Sequence, residues 1–184
     1  MRIVAGVARG RRLAAPPGRE TRPTSDRVRE SVFSMLESLG GLGGADIVDL
    51  FAGSGAMGLE ALSRGARSAT FVERDRSAVS CIRTNVVACG LEPAIVVTGD
   101  VVRFLRGTGS RRWDVAFCDP PYAFDGWPEL LGALDAGVVV VESDREVEPP
   151  QGWEVHRRRR YGGTVVSLLL SVPPDPPAGR PDPE

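Results

Sequence analysis

The strongest restriction on the fold is a regular alternation that begins near residue 46. Short β-rich runs at 46–51, 68–73, 94–100, 113–118 and 137–142 are separated, in most cases, by stretches with helical periodicity. Parallel strands need a crossover of roughly a dozen residues, and a helix supplies one. The alternation therefore predicts a parallel sheet covered on both faces. The last two runs, 153–159 and 164–172, are joined by Tyr161-Gly162-Gly163, a spacing suited to a hairpin and too short for a parallel crossover. The expected fold class is α/β, a mostly parallel sheet that ends in an antiparallel C-terminal strand pair.

Outside the alternation, residues 1–13 read as a small N-terminal β-hairpin, Arg2–Gly6 against Arg9–Leu13 around a glycine-containing turn. A Pro/Gly loop follows over 14–24. From Ser25, a residue type favoured at helix N-caps, Val28, Val32, Met35, Leu36 and Leu39 fall on one face at helical spacing until Gly40-Gly41. Residues 173–184, PPDPPAGRPDPE, lack the apolar content to fold and are expected to be a disordered tail. The expected organisation is a basic extension over 1–24, one main domain over 25–172 and the tail over 173–184.

A chain of 184 residues, 42% of them hydrophobic, suffices for one well-cored domain. No run approaches the roughly 18 apolar residues of a spanning helix, and the arginine-bearing start has no apolar core of signal-peptide length. A cytoplasmic protein with no membrane partner is expected. Cys81, Cys89 and Cys118 sit in apolar segments without paired metal spacing, which argues for buried small hydrophobes rather than disulfides or a metal site. The net charge of −1 hides an asymmetry: residues 1–30 hold eight arginines against Glu20, Asp26 and Glu30, while the rest of the chain is acidic.

Gly53-Ser54-Gly55-Ala56-Met57-Gly58 follows the run Ile47-Val48-Asp49-Leu50-Phe51 and opens the helical stretch Leu59-Glu60-Ala61-Leu62. Glycines at such a strand-to-helix turn let backbone approach a ligand closely. Glu73 closes the second run, where a carboxylate can accept both ribose hydroxyls of a nucleoside. A dinucleotide would place its pyrophosphate at the helix N-terminus, whereas S-adenosylmethionine carries no phosphate. Asp49, just ahead of the loop, repels a pyrophosphate and suits an ammonium group. Asp100, ending the third run, is placed either to accept from an adenine amino group or to cap the following helix.

The fourth run, Trp113–Cys118, leads into Asp119-Pro120-Pro121-Tyr122. An exocyclic amine conjugated to a base ring is a poor nucleophile, because its lone pair is delocalised. Hydrogen bonds from its N–H groups to the Asp119 carboxylate and the Pro120 carbonyl would rehybridise the nitrogen and aim that pair. Pro120 and Pro121 rigidify the turn, and Tyr122 offers a ring on which an extruded base can stack. The same tetrapeptide also fits a plain Pro-Pro turn with a half-buried aromatic. His156, the one histidine, lies in a late strand and is expected to be structural or exposed.

With these residues in place, the chain resembles the class I methyltransferases, and closely the bacterial 16S ribosomal RNA guanine-N2 methyltransferase family of RsmD type. The likeness runs to about residue 172. It rests on Arg22-Pro23-Thr24-Ser25-Asp26-Arg27-Val28-Arg29-Glu30, then Asp49-Leu50-Phe51-Ala52-Gly53-Ser54-Gly55, then Asp119-Pro120-Pro121-Tyr122. The resemblance implies a Rossmann-like sheet of seven strands, guanine N2 as the target, and 16S rRNA in the small ribosomal subunit or its assembly intermediate as the partner. S-adenosylmethionine would be the cofactor, S-adenosylhomocysteine the product, and the enzyme would act as a monomer without a metal. Asp49, Gly53, Gly55, Glu73 and Asp100 carry over as cofactor contacts, with Phe51 and Val101 beside them, and Asp119, Pro120, Pro121 and Tyr122 as the target-base pocket. Phe51 stands where many class I enzymes have the first glycine of the loop. Arg2, Arg9, Arg11, Arg12, Arg19, Arg22 and Arg27 are expected to grip rRNA phosphates, which positions an enzyme without specifying a base.

Other readings stay open on the sequence alone. A nicotinamide-dependent oxidoreductase would use the same glycine loop but gives Asp119–Tyr122 and the basic arm no task. A non-catalytic RNA-binding or assembly factor could keep the fold. Adenine N6 or a DNA substrate would also suit an Asp-Pro-Pro-Tyr loop. The run Arg157–Arg160 is heavier than the family leads one to expect, and a solvated strand end competes with an RNA contact as its explanation.

Overall fold

Apolar β-branched runs and amphipathic helices alternate in space as they do along the chain. The computed structural model describes residues 1–16, 26–109 and 111–172. In chain order the elements are α1 (Asp26–Glu37), β1 (Asp46–Leu50), α2 (Ala56–Ser63), β2 (Ser68–Glu73), α3 (Arg76–Cys89), β3 (Ala94–Thr98), α4 (Val101–Gly107), β4 (Trp113–Cys118), α5 (Trp127–Ala133), β5 (Ala136–Ser143), β6 (Trp153–Tyr161) and β7 (Thr164–Ser171). Ser25, Arg19, Arg22 and the tail 173–184 lie outside the described residues.

The strands form one seven-stranded sheet in the order β3-β2-β1-β4-β5-β7-β6. The five strands β1 to β5 pair in parallel, and β7 joins β5 and β6 antiparallel, as the short Gly162-Gly163 connection requires. The order reverses between β1 and β4, and ligands of open α/β sheets bind at the carboxyl ends of the strands at such a switch point.

Two cores sandwich the sheet. Val115 and Phe117 of β4 join a cluster with α1, α2 and α3, and Ala116 and Cys118 join one with α4 and α5. This is the period-two alternation of a strand buried on both faces. Phe33 of α1 packs against Phe117 with ring centroids 5.7 Å apart. Burying a side chain of that size contributes about 2–3 kcal/mol. No helix among the described residues is long and apolar enough to cross a membrane.

Three local expectations change. α1 ends at Glu37, and Leu39 is 38% exposed instead of continuing the apolar stripe. The N–H groups of Leu39 and Gly41 both bond the Leu36 carbonyl, with Gly40 and Gly41 at positive φ, so the chain turns before Leu39 reaches the core and Leu42 is buried in its place. β3 stops at Thr98, because Asp100 caps α4 by accepting from Arg103 N at 3.0 Å. The N-terminal segment turns back on itself, but it forms one antiparallel bridge, Arg2 to Arg12, rather than two strands.

That last difference has a clear cause. Val4 and Ala5 donate their N–H groups to the Glu60 carboxylate at 2.7 and 2.9 Å, and Val7 and Ala8 donate to Ser63 at 2.8 and 3.0 Å. Helix α2 captures the donors that a hairpin ladder would have used. Ile3, Ala8 and Leu13 then enter the same core cluster as α1 and α2.

Candidate active site

Strand register brings the functional residues to one level. Leu50 of β1 pairs with Val72 of β2 and with Cys118 of β4, and Glu73 pairs with Thr98 of β3. Phe51, Glu73, Thr98 and Asp119 therefore stand side by side at the carboxyl edge, across the switch point. The sequence separates these residues by up to 68 positions, and the parallel sheet aligns them.

Phe51 has φ 60 and begins the turn into α2. This left-handed conformation suits glycine, so a phenylalanine here carries a backbone cost. The cost is offset by packing: the Phe51 ring meets Phe124 edge-on at 5.4 Å, and Phe124 meets Trp127 at 5.2 Å. Phe51 thus ties the glycine loop to the loop that follows Asp119–Tyr122. Gly53 and Gly55 also take positive φ, 56 and 77. Gly58 serves packing instead, since a Cβ there would stand 2.4 Å from the Phe71 ring.

Two carboxylates are buried in this turn. Glu73 accepts from Gly53 N at 3.0 Å and from Asp75 N at 2.9 Å, so it holds the glycine loop and the β2–α3 connection together. Asp49 accepts from Gly58 N at 2.9 Å in the first turn of α2. Burial, reinforced by the neighbouring charges of Asp119 and Glu73 and opposed by the Gly58 bond, pushes the Asp49 carboxyl up to about 8. Burial, with Asp49 and Asp119 nearby, likewise raises the Cys118 thiol, so Cys118 is inert core and not a nucleophile.

Asp119, Pro121 and Tyr122 are exposed and Pro120 is buried. Phe124 N donates to the Pro121 carbonyl at 2.8 Å and closes the turn. The Tyr122 hydroxyl lies 3.3 Å from Thr164 Oγ1 at the start of β7, while the residue is 44% exposed. Arg145, after β5, donates to the Phe124 carbonyl at 2.9 Å and to the Tyr122 carbonyl at 3.4 Å, pinning the loop from outside.

The structure thus gathers Asp49, Phe51, Gly53, Gly55, Glu73 and Asp119–Tyr122 at one edge. Asp100 is exposed and acts as the α4 cap, while Val101 is buried in the core cluster that contains α4 and α5. Arg2, Arg9, Arg11, Arg12 and Arg27 are all exposed on the N-terminal segment and α1. His156 is exposed at a bulge in β6. Sequence reasoning missed Phe124, Arg145, Thr164 and Glu60. Arg145 bonds main-chain carbonyls and Glu60 main-chain N–H groups, and such partners leave no periodic or motif signal.

The family model described as Conserved hypothetical protein 95 matches residues 1–170. Ribosomal RNA small subunit methyltransferase D of Escherichia coli K12 is 36% identical, over 91% of this chain and 88% of that protein. The solved yhhF protein of Escherichia coli superposes with a TM-score of 0.80 at 34% identity, covering 93% of this chain and 97% of that one. The fold extends further, to SMU.776, solved in complex with SAH, with a TM-score of 0.61 at 14% identity over 78% of this chain and 48% of that one. The family-model match over residues 1–170, with the identity to small subunit methyltransferase D over most of both chains, places this chain in the Conserved hypothetical protein 95 family, the RsmD-type methyltransferases.

Proposed function

We propose that this protein transfers a methyl group from S-adenosylmethionine to the exocyclic N2 amine of a guanine in 16S rRNA of the small ribosomal subunit. The observation that carries the reading is the placement of Asp119–Tyr122 at the strand edge directly beside the Gly53–Gly55 turn and the buried Asp49 and Glu73. The small-subunit rRNA named for the Escherichia coli relative supports the substrate. No dinucleotide phosphate suits a turn lined by two buried carboxylates, and a cation does.

The residues present fit the cofactor. A Cβ at Gly99 would meet nothing within 4 Å, and one at Gly53 only the Phe51 carbonyl at 3.9 Å, so both strand ends leave room for a ligand against the main chain. Asp49, whose ionised form burial disfavours, is a receptor for the ammonium of the methionine part. Glu73 retains lone pairs for ribose hydroxyls beyond those used by Gly53 and Asp75. When bound, the cofactor supplies an electrophilic methyl on a sulfonium.

The protein's own work is positioning. Asp119 and the Pro120 carbonyl hold the N–H groups of the target amine and direct its lone pair. Tyr122, fixed through its hydroxyl and its carbonyl, presents its exposed ring to the base. Arg145 and Phe51 keep that loop in register with the glycine turn. Geometry of this kind supplies much of the rate in such a transfer. Asp119→Ala is expected to lower methyl transfer by roughly a hundredfold or more while cofactor affinity, measured by calorimetry, stays unchanged. Residual activity within about threefold of the wild type removes Asp119 from the assigned role.

A further inference from the structure

Edge strand β6 carries four consecutive arginines, and the structure treats them unequally. Arg158 donates to Glu146 at 2.6 Å, to Glu148 at 3.3 Å and to the Val147 carbonyl at 2.8 Å, so it is neutralised by the loop after β5. Arg157, Arg159 and Arg160 are exposed, and none of them lies within ion-pair distance of a carboxylate among the described residues. Charged side chains on an edge strand discourage pairing with another sheet, but that role does not require the row to lie beside the target-base pocket. Three unpaired cations within four residues of one edge strand, on an otherwise acidic body, form a binding surface for an anion.

The row is also aimed. C-terminal to the bulge between Val155 and Arg157 the register is regular, so Arg157 and Arg159 lie on the face of Tyr161, and Arg160 reaches the same open edge from the opposite face. The Tyr161 hydroxyl bonds Ser31 on α1, one helical turn from the exposed Arg27. Tyr161 is paired across the hairpin with Thr164, and Thr164 lies 3.3 Å from the Tyr122 hydroxyl. The arginines therefore begin beside the target-base pocket and run away from it along β6. The span from Arg157 to Arg160 is about 10 Å at ~3.3 Å per residue.

We infer that Arg157, Arg159 and Arg160 on the edge of β6, with Arg27 of α1 beside the same turn, bind the phosphates of the RNA strand that flanks the target nucleotide. This surface is separate from the arm of residues 2–12 and rests on the rRNA-substrate reading above. An RNA strand is favoured over an acidic protein because one end of the row lies at Tyr161, which Thr164 links to Tyr122, the residue proposed to stack on the target base. Phosphate contacts there would hold the backbone while the base is drawn toward Tyr122.

The test compares the full-length wild type with Arg157→Gln/Arg159→Gln/Arg160→Gln and with the corresponding triple Lys variant. Binding to protein-free 16S rRNA is measured from low to moderate salt, alongside methyl transfer and calorimetric affinity for S-adenosylmethionine. The Gln variant is expected to bind RNA at least tenfold more weakly and to show a log-log salt slope reduced by about 2, at ~0.7 per lost single-strand phosphate contact. KM for RNA should rise with it, with cofactor affinity unchanged and most binding restored in the Lys variant. If the wild type methylates rRNA while the Gln variant keeps its slope and KM, the inference is overturned and the methylation reading stands. If the Gln variant loses RNA binding but the wild type methylates no guanine, the methylation reading fails and the phosphate surface stands. Loss of cofactor affinity in both variants would mark a folding defect and overturn the assignment of a local surface.

Discussion

At the scale of single residues, Asp49 is a carboxyl group buried against its charge. Its ordinary carboxyl value of 3.8 is raised to about 8 by burial, then by the charges of Asp119 and Glu73. The folded state therefore binds a proton at Asp49 that the unfolded state has released between about pH 4 and pH 8. Stability from this residue is full below about pH 4 and is lost as pH rises toward 8. Asp49→Asn keeps an acceptor for Gly58 N and has no proton to lose. The wild type is expected to fall in melting temperature relative to Asp49→Asn as pH rises from 5 to 8, and saturating S-adenosylmethionine, by placing an ammonium beside the ionised carboxylate, should shrink that difference. Parallel wild-type and Asn curves across the range would show that Asp49 is ionised in the folded protein throughout. The presence of a carboxylate at residue 49 was legible in the sequence. Its raised value was not, because that depends on α2 closing over it and on Asp119 arriving from β4, both products of long-range packing.

At the scale of elements, the attachment of the N-terminal segment rests on α2. Glu60 is fully buried and accepts from Val4, Ala5 and Arg64, with the buried Arg29 guanidinium 3.7 Å away. Arg29 also donates to the Arg2 carbonyl and to Asp26, while its Nε and Nη1 have no hydrogen-bond partner. Removing Glu60 would leave the buried Arg29 without its one buried counter-charge among the described residues, with only the half-exposed Asp26 remaining, and two main-chain N–H groups without acceptors. Glu60→Ala is expected to cost about 3–5 kcal/mol in urea unfolding and to raise hydrogen exchange at Val4 and Ala5. A loss below about 1 kcal/mol would mean that the segment is held by Ile3, Ala8 and Leu13 alone. Most elements were legible from period and turn chemistry, including every strand from β1 to β7. The hairpin expected over 1–13 was read from strand-like pieces around a glycine-containing turn, both of them local features. The competing acceptors, Glu60 and Ser63, lie more than fifty residues away and carry no local sign of that use.

At the scale of the whole molecule, a parallel sheet collects residues from β1, β2 and β4 at one edge, and an antiparallel hairpin brings a basic strand to the same corner. The site motifs were readable because strand-end loops carry function in any open α/β sheet, so their positions followed from the strand order. The arginines of β6 were seen but could not be assigned from sequence, since only the structure pairs Arg158 with Glu146 and Glu148 and leaves its neighbours exposed. The same scale holds the decisive test of the proposed reaction. Purified protein is incubated with tritiated S-adenosylmethionine and small ribosomal subunits from a strain lacking its own guanine-N2 enzyme, and the labelled nucleoside is identified. The account predicts label in N2-methylguanosine of 16S rRNA. Label in N6-methyladenosine, or no label on subunits, protein-free rRNA or DNA despite measured cofactor binding, would contradict it.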